Sequence, residues 1–156
     1  MRIEERFTVD APADRVWAFL TQPERVAEAL PGAEIDEQID DRTYSGGMAM
    51  KVGPLAVAYT GTVSFDLDEE ERSAAVHAQG RGKAGMGTAS MKMTSRVSGL
   101  SGSETAVDVE ADVTVTGLVA QLSRGMIQIV SKKMFADFAA NLSAALATSD
   151  QEEDGP

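Results

Sequence analysis

Hydrophobic positions change their spacing three times along the chain. Ile3, Phe7 and Val9 stand among polar residues as in a strand, which ends at Asp10-Ala11-Pro12. Val16, Trp17, Phe19 and Leu20 then fall at helical spacing. A second short segment follows Pro23 and stops at Pro31-Gly32. Proline can open a helix without losing a hydrogen bond, and Pro-Gly closes one. From Tyr44 onward the period is two. Tyr44, Gly46, Met48, Met50 and Val52 share one face, Gly53-Pro54 turns the chain, and Leu55, Val57, Tyr59, Gly61, Val63, Phe65 and Leu67 share the next. Further strands carry Val76 and Ala78, then Ala89, Met91, Met93 and Val97, then Val107, Val109, Ala111, Val113 and Val115. In the last of these Asp108, Glu110, Asp112 and Thr114 intervene, giving one dry and one wet face.

After Gly117 the spacing becomes 3.6. Leu118, Leu122, Met126, Ile129 or Val130, Met134, Phe138, Leu142 and Leu146 make one stripe, and a single long amphipathic helix is predicted from Leu118. The expected order is one strand, two short helices, about six antiparallel strands and a long C-terminal helix. A curved sheet with a dry face and a helix with a dry stripe bury each other. The fold class is therefore α+β, a curved antiparallel sheet of about seven strands wrapped around the last helix. Residues 1–148 form one domain, and 149–156 read as a disordered acidic tail.

Composition narrows the chemistry. The chain has 156 residues, enough for one sizeable core, and a formal charge of −11. That balance argues against nucleic acid and against simple adhesion to anionic lipid. No cysteine is present, which excludes disulfides and thiolate metal sites or nucleophiles. The N-terminus carries Arg2, Glu4, Glu5 and Arg6 where a signal core would be apolar, so a cytoplasmic location is expected. His77, the single histidine, alternates with the dry positions Val76 and Ala78 and should face solvent. One histidine without cysteine leaves only carboxylates for a metal, and none shows a calcium-loop spacing. Gly80-Arg81-Gly82-Lys83 lacks the Gly-Lys-Ser/Thr ending of a phosphate loop and runs into a strand, so a flexible hairpin or a bulged edge is expected, with Arg81 and Lys83 free to touch a partner or a lipid headgroup.

Ala11-Pro12 with Val16-Trp17, Leu30-Pro31-Gly32, Val52-Gly53-Pro54, Gly61, Gly80, Gly82, Lys83, and Gly117 with Ala120-Gln121-Leu122 and Arg124 occur in an order that resembles the START/Bet v 1 (SRPBCC) helix-grip superfamily. Within it, the sequence is most similar to the carbon monoxide dehydrogenase G-subunit family. The resemblance spans residues 1 to about 147. It implies a hydrophobic cavity between sheet and long helix, and a non-catalytic accessory role beside a molybdenum hydroxylase of the carbon monoxide dehydrogenase type. Such a protein would bind a menaquinone-like quinone or a lipid, with no covalently bound cofactor. It would assist membrane recruitment of its partner enzyme or electron transfer to quinone, with peripheral contact at the inner face of the membrane. Family members often carry a longer C-terminal extension thought to reach the membrane; the acidic end here is not expected to act as an anchor.

The residues themselves admit two readings of the interior. Met48, Met50, Met91, Met93, Met126 and Met134, beside the small Gly46, Gly61, Ala89 and Ala111, suit a soft pocket for a flexible apolar ligand. They equally suit a packed, strongly curved sheet. The resemblance favours the pocket, whose expected walls also include Trp17, Leu30, Val57, Tyr59, Val109, Leu122 and Val130. Trp17 reads first as the anchor of the opening helix. Gln121 and Arg124, at the start of the last helix, are the candidates for orienting a headgroup. No catalytic set is predicted. The alternative is a polyketide cyclase or hydrolase on the same fold, with Tyr44, Tyr59 and His77 as its acid–base groups.

Overall fold

A computed structural model describes residues 1–83 and 85–154, with side chains described as far as Ala147. Of the acidic tail expected over 149–156, residues 149–154 fall within the last helix and 155–156 lie outside the described residues. Strand β1 (Arg2–Val9) leads into helices α1 (Ala13–Leu20) and α2 (Pro23–Ala29). Six strands follow, β2 (Ala33–Asp40), β3 (Thr43–Val52), β4 (Leu55–Asp68), β5 (Ser73–Gly82), β6 (Thr88–Gly99) and β7 (Thr105–Val115). A 3-10 turn (Gly117–Gln121) and helix α3 (Arg124–Asp154) complete the chain.

All pairings are antiparallel, and the sheet order is β1-β7-β6-β5-β4-β3-β2. Strands β1 and β2 therefore occupy opposite edges, and α1 and α2 carry the chain from one to the other. Pro12 and Pro23 sit at the N-cap of α1 and the first turn of α2, where a missing N–H costs nothing. Thr105, fully buried, donates its Oγ1–H to the Ala11 carbonyl at 2.7 Å and ties the start of β7 to the β1–α1 corner.

The sheet bends where glycines align. Gly46, Gly61 and Gly80 are register partners across β3, β4 and β5. A Cβ on Gly61 would run into the backbone of Gln79 and Gly80, and one on Gly46 into that of Glu34. These two glycines are thus required by close backbone approach, and not only by the room they leave for a pocket. Gly53, at φ +63°, opens the two-residue β3–β4 turn, and a Cβ there would press on the Met126 sulfur of α3 at 2.5 Å.

Two local features differ from the sequence expectation, and a third decides between alternatives it left open. The polar stretch Ala33–Asp40, outside the strand pattern read from Tyr44 onward, is the edge strand β2, paired with β3 through two irregularities of register. The last helix does not begin at Leu118. The 3-10 turn and an extended Leu122 come first, and Ser123 caps α3 by accepting the Met126 N–H at 3.1 Å. The helical stripe uses Val130, half-buried, whereas Ile129 is 72% exposed.

Two apolar clusters form the interior. The first joins α1 and α2 to the C-terminal half of α3 through Trp17, Phe19, Ala29, Phe138, Leu142 and Leu146, over Val107 and Val109 of the sheet. Phe7 stacks on Phe135 and meets Phe138 edge-on. Asn141 donates its side-chain N–H to the Ala29 carbonyl at 2.9 Å, so α3 rests on the α1–α2 cradle. The second cluster gathers Val52, Val57 and Val119 with Tyr59, Met86, Met126 and Val130 at the other end of the sheet.

Candidate ligand-binding site

The two clusters do not meet. Along β7, Val107 and Val109 belong to the first and Val115 to the second, while Ala111 and Val113 between them belong to neither. Along α3 the same gap falls at Met134, between Val130 and Phe135. Strand register carries it across the concave face through Met91, Ala78 and Val63, with Gly80, Gly61 and Gly46 one inward position on. These residues other than Ala111 are only half-buried, although the sheet face they lie on points toward the long helix. The backbone of helix α3 runs closest to β1, with a lesser approach to β3, and meets β4 and β7 through the side chains of the two clusters. The result is a concave strip of methionine, alanine and glycine under a helix that spans it from side to side.

One polar atom stands out at the edge of this strip. Tyr59 faces inward between Met48 and Gly82, and its hydroxyl is buried with no hydrogen-bond partner among the described residues. Burial pushes its phenol pKa above the usual 10.0 and keeps it protonated. A buried hydroxyl without a partner costs free energy that a ligand oxygen would recover.

The predicted pocket residues divide among these environments. Met50, Val57, Tyr59, Leu122, Met126 and Val130 come together in the second cluster. Trp17 and Val109 are packed inside the first, with Leu30 and Met93 against it. The Trp17 indole N–H donates to Glu69 Oε2 at 2.8 Å, the bond of an anchor between α1 and the β4–β5 turn. Met48, Gly61, Met91, Ala111 and Met134 mark the strip itself. Gln121 and Arg124 are exposed. Ala78 and Gly80 join the strip without having been expected there, although the alternation from Val76 places them on the same face.

Two open hollows flank the sheet. One, of about 270 Å³, lies between Thr21 and Pro23 of the α1–α2 junction and Tyr44 and Phe65. Those rings meet edge-on, on the two strands that carry Gly46 and Gly61. The other, of about 290 Å³, is a polar groove on the outer face. His77 lies there, exposed, opposite Ser64 and Lys92 and away from the concave side. Among the described residues no group of three or more histidine or carboxylate side chains is placed to hold a metal. No helix among them is long and apolar enough to cross a membrane.

The architecture defines a START/Bet v 1-like helix-grip protein, and solved structures agree. A conserved protein from Geobacillus kaustophilus superposes with a TM-score of 0.85 at 16% identity, covering 96% of this chain and 97% of that one. The ZhuI aromatase/cyclase from Streptomyces sp. R1128 gives 0.71 at 19% identity, with 100% and 99% covered. A START superfamily protein from Mycobacterium smegmatis gives 0.64 at 13% identity, with 94% and 97% covered. At these identities the likeness is one of fold. The sequence itself goes further: residues 6–147 match the carbon monoxide dehydrogenase G-subunit (CoxG) family, and the chain belongs to that family. Comparison with curated proteins gives no match.

Proposed function

We propose that this protein is a non-catalytic binder of a hydrophobic ligand, a menaquinone-like quinone or a lipid, held in the concave strip beneath α3. The observation that carries this reading is the buried, unpartnered Tyr59 hydroxyl beside an apolar strip that neither cluster fills. A quinone carbonyl or lipid ester oxygen would accept a hydrogen bond from that hydroxyl. The methionines would fit themselves to an isoprenoid or acyl chain. Gln121 and Arg124 could reach a headgroup only from the exterior. Membership of the CoxG family supports an accessory role beside a molybdenum hydroxylase of the carbon monoxide dehydrogenase type. That role is to recruit the enzyme to the membrane or to present quinone for electron transfer, through peripheral membrane contact. Native mass spectrometry after incubation with a menaquinone analogue tests the ligand half. A one-to-one complex is expected, and a protein that stays empty with quinones and phospholipids alike would overturn it.

The fold shared with an aromatase/cyclase supports a second reading, catalysis on an aromatic polyketide. Tyr44 and Tyr59 face inward and could exchange protons, but His77 lies on the opposite face of the sheet. Turnover lost in Tyr59→Phe and retained in His77→Ala would establish that reading over the first.

A further inference from the structure

The net charge of −11 hides a segregation. No Asp or Glu occurs in residues 42–65, 72–103 or 113–136. The fold gathers the middle parts of these acid-free segments at one end of the molecule. Gly53 of the β3–β4 turn abuts Met126 of α3. Leu118 N–H donates to the Gly85 carbonyl, and the Gly82 and Gly87 backbones are joined, so the β5–β6 loop is fastened to the 3-10 turn. Lys51, Arg81, Lys83 and Arg124 decorate this end, with Lys132 and Lys133 about two turns further along α3, all exposed.

Most cations elsewhere are matched. Arg2 pairs with Glu110, Arg6 with Asp108, Arg42 with Asp66, Arg72 with Asp14 and Arg96 with Glu71. At the acid-free end Lys133 pairs with Asp137, but no ion pair joins Lys51, Arg81, Lys83, Arg124 or Lys132 to a carboxylate among the described residues. Ile129 and Leu118, 72% and 41% exposed, project among them. Unmatched cations around exposed aliphatic side chains are what an interfacial protein presents to an anionic bilayer. An acidic protein surface would use the cations but would gain less from a lone protruding Ile129.

We infer that this end, formed by the β3–β4 turn, the β5–β6 loop and the first turns of α3, docks on an anionic lipid bilayer. The inference rests on the peripheral membrane contact proposed above and names the face that makes it. It revises the expectation drawn from net charge, because a bilayer senses charges within about a Debye length of its surface and little of those beyond. Docking in this orientation sets the Tyr59 cluster, through Met86 and Met126, next to the membrane from which an apolar ligand would come.

Vesicle flotation tests it with the full chain. At low salt the protein should bind vesicles of phosphatidylcholine with phosphatidylglycerol, ignore phosphatidylcholine alone, and detach in high salt. The triple variant Lys51→Gln, Lys83→Gln, Lys132→Gln should lose about a hundredfold in partitioning, from roughly a factor of five for each basic residue near the surface. Its circular dichroism should stay unchanged, since all three are exposed. The chain has no cysteine, so single-site labels are unambiguous. An environment-sensitive fluorophore on Ile129→Cys should shift blue on binding, and one on Leu67→Cys, near the acidic β4–β5 turn, should not. Binding with the Leu67 label buried, or undiminished in the triple variant, would overturn this surface while leaving membrane contact standing. No binding to anionic vesicles at low salt would overturn both, and would be the outcome if these cations serve an acidic protein.

Discussion

Replacing Tyr59 by Phe separates a ligand-binding hydroxyl from a structural one. The ring is half-buried among Val52, Val57 and Val119, and Phe retains that packing. What the substitution removes is a hydroxyl that is buried and unpartnered. An orphan of this kind costs roughly 1–3 kcal/mol, and the half-exposed ring places Tyr59 at the low end, about 1 kcal/mol. Without ligand, Tyr59→Phe should therefore be more stable by about 1 kcal/mol, or roughly 2–4 °C in Tm for a domain of this size. With ligand the sign reverses. Loss of one neutral hydrogen bond worth ~0.5–1.5 kcal/mol should weaken affinity by roughly two- to tenfold. Alkaline pH supplies a third reading. The folded phenol pKa is raised, so its stabilising share is complete below the unfolded value near 10.0 and is lost as pH climbs through the folded value. The Phe variant should lack that decline. Urea unfolding at pH 8 and above pH 10, with and without a quinone analogue, measures all three. A ligand-free Tyr59→Phe that is less stable than the parent by 1 kcal/mol or more would refute the reasoning, because the hydroxyl would then have a partner.

Three further substitutions probe the frame. Ala78→Phe places a ring in the concave strip between Val63 and Met91 and should lower ligand uptake at least tenfold at a stability cost of no more than about 1–3 kcal/mol, read by native mass spectrometry and thermal melts. Thr105→Val keeps the shape but leaves the buried Ala11 carbonyl without its donor. It should cost about 1–3 kcal/mol in urea unfolding, and a neutral result would mean that the corner holds without this bond. Gly53→Ala puts a Cβ at positive φ and against Met126. It should cost about 1–2 kcal/mol, and pairing it with Met126→Ala should recover part of that if the contact contributes.

The order of elements is legible because each one has a distinct spacing and a punctuating Pro or Gly. Pro12, Pro23 and Gly53 stand where the chain reads them. Strand β2 is not legible, since an edge strand whose half-buried positions are only Ala33 and Ile35 leaves almost no alternation to see. The start of α3 is obscured because Leu118 and Leu122 continue the helical stripe, while the break depends on Gly117 at φ +78° beneath the Met86 carbonyl, a contact distant in sequence. The candidate site is legible in part. Methionine-rich inward positions can be named from the chain, but not the division into two clusters with a strip between them. Cross-strand register sets that division. The roles of Gly46 and Gly61 need the same information, since only the neighbouring strands show what their Cβ atoms would meet. Charge segregation is likewise invisible in a net charge of −11 until the fold brings Lys51, Lys83 and Arg124 to one end.

The function proposed for this protein depends on the concave strip holding an apolar ligand. Native mass spectrometry of the protein and its Ala78→Phe variant, each incubated with a menaquinone analogue, tests it most directly. A one-to-one adduct is expected on the parent protein and should be absent or at least tenfold weaker on the folded variant. An adduct of equal abundance on both, or on neither, would contradict it.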